Sequence, residues 1–268
     1  MRMGYIGYAI RNSFRSLTAY RTFTVVSILS SAFGLMIQIA IWKALYNGQN
    51  ILQAGTKQVS LADMIQYAVL STFLSILINN NVAANIEQRI TSGQVSIDFI
   101  RPVGFGVQIT CAEAAGTIFQ FLFSFLPMAA ISLVLVGKSV LEIKNGGVLL
   151  IVTANSMLLY YLINYMIGLL SFWFLTVWPL RQILDGVIKL LSGAVIPLWF
   201  LPGGIYKAAT VLPFRLIYYL PVSIGLGKAD RSEILGGLLF QIVWIAAFAL
   251  ICMGLWKKGN GKLTVQGG

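Results

Sequence analysis

Apolar residues fall in six long runs along the 268 residues, and short polar connections separate the runs. A helix needs roughly 20 predominantly apolar residues to cross the hydrocarbon layer of a membrane. The runs are continuously apolar, whereas the strands of a membrane barrel alternate between apolar and polar residues over about 10 positions. The pattern therefore predicts an all-α, polytopic membrane protein with six transmembrane helices in a single domain, 1–268. The predicted spans are 22–42, 61–79, 107–136, 148–175, 183–201 and 234–256.

The segment before the first span has a helical stripe of apolar residues. At 100° per residue the stripe occupies one side of a helix, and Arg11 and Arg15 fall on the other side. This pattern is typical of a helix lying in the membrane interface, so we expect an interfacial amphipathic helix in 1–21. A simple leader that carries topology signals is the alternative. The apolar positions are Met3, Ile6, Ile10, Phe14 and Leu17.

A long connection, 202–233, precedes the last span. It is aromatic and apolar, yet Pro213 and Pro221 interrupt it, so no uninterrupted helix in it is long enough to cross. We expect a re-entrant segment on the outer side, covered by protein or facing water.

Composition agrees with a membrane location, since 58% of the residues are hydrophobic and 10% are charged. The net charge of +11 is spread over every connection, which favours contact with lipid headgroups over a nucleic-acid partner. Basic residues are somewhat more abundant in the termini and the connections on their side than in the other connections. The positive-inside rule then predicts a cell-membrane protein with both termini in the cytoplasm.

The residue types present give no catalytic or metal-binding constellation. The chain has no histidine, which excludes Ser–His and Cys–His catalysis, and it has no phosphate-binding G-x-x-x-x-G-K-[ST] run. Cys111 and Cys252 stand singly in apolar spans and are interpreted as packing residues. We therefore expect a chain that is not itself an enzyme and holds no cofactor or metal.

Glu113, Asp185 and Lys189 lie inside predicted spans, where charges are functional candidates. Asp185 and Lys189 are spaced i,i+4, so we predict that they neutralise each other, either as a structural pair or at a water-filled cavity. Glu113 is expected to reach the cytoplasm or to pair with a base such as Arg181 or Lys189. An ion-coupled carrier, which would use such an acid, remains an alternative.

The inner loop 80–106 is the most informative connection. It combines a charged segment that can form a helix, a glycine, an apolar set near Phe99 and a proline before the third span. A short amphipathic segment attached to two spans is suited to receive force from another protein. The candidate residues of this loop are Glu87, Arg89, Gly93, Asp98, Phe99, Arg101 and Pro102.

This loop resembles the coupling helix of the membrane subunits of type-two ATP-binding-cassette exporters. In that family a Glu, a Gly and a hydrophobic pair followed by Arg-Pro occupy places that match Glu87, Gly93 and 99–102 here. The order of interfacial helix, six spans, coupling loop and outer segment is also similar. The resemblance implies cytoplasmic ATPase subunits as partners, with ATP and Mg bound by them, and a second permease subunit, identical or homologous. It also implies an outer gate, for which the candidates are Pro202, Gly203, Gly204, Pro213, Tyr218, Tyr219 and Pro221.

The substrate is the least determined property. We expect a pathway lined by apolar and aromatic residues of the first, second and fifth spans, which suits a small amphipathic drug, antibiotic, lipid or peptide. A polysaccharide permease and a membrane scaffold without transport activity are the remaining alternatives. Tyr218 and Tyr219 could stack on sugar rings, but we interpret them as interfacial anchors.

Overall fold

A computed structural model describes residues 21–49, 51–54, 57–101, 103–137, 143–174 and 176–263. The predicted interfacial helix lies almost wholly outside these residues. The helices are α1 (Arg21–Tyr46), α2 (Leu61–Ile78), α3 (Val82–Thr91), α4 (Gln94–Ile100), α5 (Phe105–Gln120), α6 (Leu126–Val136), α7 (Gly146–Leu169), α8 (Trp178–Leu191), α9 (Gly203–Val211), α10 (Tyr219–Gly225) and α11 (Arg231–Leu263). The strands are β1 (Ile51–Ala54) and β2 (Lys57–Ser60).

Among the described residues, five helical segments are long and apolar enough to span a membrane, and a sixth is counted if a bent pair is taken as one span. The five coincide with predicted spans one to four and six, so the polytopic all-α fold is confirmed. The bent pair is α9 with Pro213–Gly225, inclined by 75° in the predicted outer segment. The five long segments are Thr22–Tyr46, Leu61–Thr91, Phe105–Val136, Gly146–Phe172 and Arg231–Gly261.

A π-helical turn, Phe121–Phe125, joins α5 to α6 within the third span. Pro127 lies two residues beyond this turn and lacks the N–H that would bond to the carbonyl of Phe123. Such turns absorb a lost hydrogen bond without ending the helix.

The fifth predicted span, 183–201, differs from the structure. The helix begins earlier, at Trp178, and ends at Leu191, so its 14 residues extend only about 21 Å, less than the roughly 30 Å of hydrocarbon. Gly193 follows with a left-handed φ of 80°, and Pro197 stands beyond it. These two residues end the helix, although the apolar run continues to Leu201.

The non-helical backbone after α8 is hydrogen-bonded by its neighbours. The hydroxyls of Tyr67 and Ser71 on α2 donate to the carbonyls of Gly193 and Ala194. The carbonyl of Ser192 accepts the backbone N–H of Tyr219 at 2.9 Å. A break in the helix is thereby tolerated, because its polar groups find partners within the protein.

At a second break in the helices, between α9 and α10, a backbone carbonyl is also hydrogen-bonded by side chains of neighbouring helices. The carbonyl of Leu216 accepts from Ser156 Oγ at 2.8 Å and from Gln241 Nε2 at 3.1 Å. Gln241 also donates to the carbonyl of Val152 at 3.2 Å, and both polar side chains are fully buried. The outer segment is therefore fixed to α7 and α11.

The connection from α1 to α2 forms an antiparallel hairpin that the sequence analysis did not predict. Its strands pair from Ile51 with Ser60 to Ala54 with Lys57. Ser60 then caps α2 through reciprocal bonds with Asp63, and Lys228 Nζ lies 2.9 Å from the Asp63 carboxylate. The strands are too short to show a clear alternation of apolar and polar residues.

Helix α7 is central, packing against α3 and α11. A Cβ on Gly168 would lie 2.9 Å from the side chain of Ile86 and 3.1 Å from the Cα of Ala83. The missing side chain allows α3 to approach α7 closely, as small residues do in membrane helix pairs.

Replacement of Gln241 with Leu tests the role of the buried amide. The change removes a donor shared by three acceptors, so we expect the melting temperature of the purified protein in detergent to fall by roughly 2–4 °C. Gln182→Leu is the control, because Gln182 is exposed on α8. Equal melting temperatures for the two variants would contradict the assigned role.

Candidate coupling site

Helices α3 and α4 form a compact corner at one end of the bundle. Gly93 joins them in the left-handed conformation, with φ of 74°, which glycine adopts without strain. Val95 of α4 is fully buried against α3 and α5 residues, including Ile86 and Phe105. The predicted glycine is thus the turn between α3 and α4.

Asp98 is the electrostatic centre of this corner. It is only 1% exposed, and its carboxylate lies 3.0 Å from Arg89 Nη1 and 3.3 Å from Arg101 Nη1. Arg89 also donates from Nε to Asn85 Oδ1 at 2.9 Å. The structure therefore brings together three of the predicted coupling residues, and the two guanidinium groups offset the burial of one carboxylate.

Gln108 completes the corner, and the sequence analysis missed it. Its Nε2 donates to the carbonyls of Asp98 at 3.1 Å and Val103 at 2.8 Å, while its Oε1 accepts from Arg101 at 3.2 Å. These bonds fix the chain where it passes from α4 to α5. The sequence offered one indication of this role, because a glutamine stands near the start of an otherwise apolar span. Pro102 and the side chain of Phe99 lie outside the described part of the chain.

Two apolar side chains of α4 point away from the corner. Ile97 is 58% exposed and Ile100 is 85% exposed. Both are next to Asp98 or Arg101 in sequence, so the ion pairs hold the helix that presents them. The corner combines a rigid interior with an apolar outer surface.

Glu87 does not join this ion-pair cluster. Its Oε1 accepts the backbone N–H of Val177 at 3.1 Å, at the residue preceding α8. A carboxylate at a helix N-terminus is stabilised by the exposed N–H groups and the helix dipole. Glu87 therefore links α3 to the start of α8.

Arg181 provides a second link to α8. Its Nη2 donates to the carbonyl of Asn80 at 2.8 Å, just before α3, and its Nε lies 3.8 Å from Asp185. Asp185 also accepts from Tyr160 at 3.0 Å. The predicted pairing of Asp185 with Lys189 is wrong, because Asp185 binds these other two side chains.

Glu113 lies close to the same junction. The backbone N–H of Asn81 and the charge of Arg181 both act favourably on its carboxylate. The predicted interaction with Arg181 is therefore electrostatic. Two charged side chains, Arg181 and Glu113, therefore lie at the junction between α2 and α3.

A cavity of about 480 Å³ lies between α1, α2, the π turn and the segment that follows α8. The cavity lies among the spans that the sequence analysis expects to line a pathway, and its lining includes more hydroxyl and amide side chains than aromatic ones. Lys189 lines this cavity and also a smaller neighbouring one of about 190 Å³. The polar side chains of the larger cavity are Ser27, Ser30, Ser31, Gln38, Ser71, Thr72, Ser75, Asn79, Gln120, Ser124, Lys189 and Tyr218.

The predicted gate residues occupy the two short helices of the outer segment. Pro202 precedes α9, Gly203 and Gly204 open it, Pro213 begins the following 3-10 turn, and Pro221 lies within α10. Tyr219 is 3% exposed and packs edge-on against Trp199, and Tyr218 lines both cavities. The interpretation of the tyrosines as interfacial anchors is wrong, since one is buried in the protein and the other faces the cavities.

Comparison with known proteins identifies the family. The profile of the family described as "ABC-2 family transporter protein" matches residues 32–267. The chain belongs to this ABC-2 transporter family. A search of curated proteins finds no significant match. Membership makes the chain a multi-pass permease component of an ABC transporter, and the family implies an ATPase subunit as its partner.

Nothing in the described ranges forms a group of three or more His, Cys, Asp or Glu side chains able to hold a metal ion. The candidate site of this ABC-2 permease consists of ion pairs and helix contacts.

Exchange of Asp98 for Asn tests the ion-pair cluster. The neutral amide leaves Arg89 and Arg101 without a counter-charge, so we expect backbone amides of α4 to exchange hydrogen at least about tenfold faster. Hydrogen–deuterium exchange with mass spectrometry measures this in detergent or nanodiscs. Glu87→Gln is the control, because it leaves both pairs of Asp98 intact. Unchanged exchange in Asp98→Asn would show that the pairs do not stabilise α4.

Proposed function

We propose that this ABC-2 permease forms the membrane pathway of an ATP-driven exporter and that the α3–α4 corner receives its ATPase. In this proposal the protein lies in the cell membrane, and both termini and the α3–α4 corner face the cytoplasm. The ATPase subunit binds ATP and Mg, and the permease binds neither. The substrate is a small amphipathic molecule.

The exposed apolar pair on α4, Ile97 and Ile100, is the observation that carries the proposal. Large aliphatic side chains on a short helix outside the spans gain free energy when a partner covers them. Asp98 holds that helix in place through two arginines, so force applied to the pair is transmitted to α3 and α5. This arrangement fits a groove-and-helix contact with a cytoplasmic protein.

Movement of the corner would reach the cavity through α8. Glu87 bonds to the start of α8, Arg181 bonds back to Asn80, and Lys189 on the same helix lines the cavity. An ATPase that binds the corner differently with and without ATP would therefore shift the population of α8 positions. The contacts supply a continuous physical route between the two sites.

The composition of the cavity supports a second permease subunit, identical or homologous. Ser27, Ser30 and Lys189 are exposed on the isolated chain, and polar groups at this depth are costly when they face lipid tails. A second subunit facing α1 and α8 would cover them and enclose a pathway. Membrane lipid would contact the remaining apolar faces, and the chain would bind no nucleic acid.

A polysaccharide permease is the second candidate, because hydroxyl and amide groups also hydrogen-bond to sugars. The lining contains one aromatic side chain, Tyr218, and sugar-binding grooves generally offer several stacking surfaces. We therefore favour the amphipathic molecule. Asp185 contacts Tyr160 and Arg181, and Glu113 lies beside Asn81 and Arg181. Nothing in these contacts favours an ion-coupled carrier.

The docking surface is tested by replacing Ile97 and Ile100 together with Asp. The tagged permease is extracted from its own host in mild detergent, and copurifying proteins are identified and assayed for vanadate-sensitive ATP hydrolysis. We expect a stoichiometric ATPase with the wild type and at least about tenfold less with the double variant, because charges replace the apolar contact.

Ile51→Asp is the matched control, since Ile51 is 57% exposed in the hairpin, away from the corner. It should retain the ATPase fully. An ATPase bound equally well by the double variant would contradict docking at α4. A wild-type protein that purifies alone under several gentle conditions would contradict the exporter function itself.

A further inference from the structure

The hydroxyl-lined cavity between α1, α2 and α8 has a polar stripe on each side. On α1 the stripe is Ser27, Ser30, Ser31 and Gln38, spaced so that the side chains share one helix face. On α2, Ser71 lies near the middle of an 18-residue helix, which places the cavity well inside the membrane-spanning bundle. Such a stripe in a membrane helix points to a polar ligand or to water.

Among the described residues that line the larger cavity, Lys189 is the charged one, and no acidic side chain lines this cavity with it. Within the described residues it has no hydrogen bond or ion pair, and it lies 11 residues along α8, about 17 Å from Trp178. Besides Lys189, the charged groups that face the smaller neighbouring cavity are Arg181 and Asp185, which lie 3.8 Å apart and offset each other. The two cavities together therefore have an excess positive charge.

The cavity also has unused hydrogen-bonding capacity. Gln120 lines it, and the buried Oε1 of this residue has no hydrogen-bond partner within the described residues. The hydroxyls of Ser71, Thr72 and Ser75 already donate to backbone carbonyls, so each retains acceptor lone pairs for a ligand donor. A ligand that fits would combine a negative group near Lys189 with a donor near Gln120.

The size of the cavity limits what it holds. About 480 Å³ accommodates a head group or a small metabolite, not a complete lipid with its chains. Leu35, Ile76 and Val195 form the apolar part of the lining, and the adjoining surface of α1 is apolar and exposed. An attached alkyl chain would therefore leave the cavity toward hydrocarbon.

We propose that this cavity binds the anionic head group of an amphipathic substrate, with Lys189 as its counter-ion. This inference rests on the proposed export function and specifies the chemical class of its substrate. The negative charge compensates Lys189, and the serine and amide groups hydrogen-bond to the rest of the head group.

The test uses the full-length permease in phosphatidylcholine nanodiscs with no ATPase present. A diazirine derivative of dodecyl phosphate is photo-crosslinked to the protein, and unlabelled amphiphiles compete. We expect crosslinks in α1, α2 or α8, and dodecyl phosphate should compete at a concentration roughly tenfold lower than dodecylphosphocholine, which has the same chain and no net charge. Inorganic phosphate alone should compete poorly, because it lacks the apolar chain.

Variants of Lys189 test whether its positive charge causes the preference for dodecyl phosphate. Lys189→Gln should remove the preference for dodecyl phosphate, Lys189→Arg should retain most of it, and Lys207→Gln, which removes a charge from α9 outside the cavity, should have no effect. Equal competition by both amphiphiles on the wild type would overturn the inference even if Lys189→Gln failed to fold. Competition by inorganic phosphate as strong as by dodecyl phosphate would also overturn it.

The assay separates this inference from the proposed function. Binding is measured on the permease alone, so a negative result leaves docking of the ATPase at α4 unaffected. Absence of a docked ATPase would likewise leave the binding preference measurable.

Discussion

Backbone that leaves the helical conformation inside a membrane must find its hydrogen bonds within the protein, because lipid tails offer none. The described part of this permease has such breaks after α8 and between α9 and α10. Tyr67 and Ser71 hydrogen-bond to the first, and Ser156 and Gln241 to the second. The positions of the outer segment and of α8 depend on these few side chains, and so does the shape of the cavity between them.

The same requirement explains why α8 can link two ends of the molecule. At its start α8 is held by Glu87 through the N–H of Val177, and after its end the backbone is held by α2. In the proposed function, α8 moves as a unit because it is fixed at both ends, and displacement at the α3–α4 corner would be transmitted to the cavity. Lys189, near the far end of α8, would move with it.

Long-range polar contacts account for most of what the sequence could not predict. Five spans, the bent outer segment and the αL turn at Gly93 follow from apolar runs, prolines and glycine. The partners of Asp185 could not be predicted in this way. The i,i+4 spacing suits both Arg181 and Lys189, and Tyr160 comes from another helix. The end of α8 was hidden by an apolar run that continues past Gly193 and Pro197. Gln108 and Gln241 were visible as polar residues in apolar helices, but their acceptors are set by tertiary packing.

The most direct test of the account is the coupling of ATP hydrolysis to transport in two variants of Glu87, reconstituted with the ATPase in proteoliposomes. Glu87→Gln keeps an oxygen that accepts the N–H of Val177, whereas Glu87→Ala removes it. We predict that Glu87→Gln retains most of the substrate moved per ATP hydrolysed. Glu87→Ala should still bind the ATPase and hydrolyse ATP, but it should move several-fold less substrate per ATP. Equal coupling in Glu87→Ala and the wild type would contradict a route through α8.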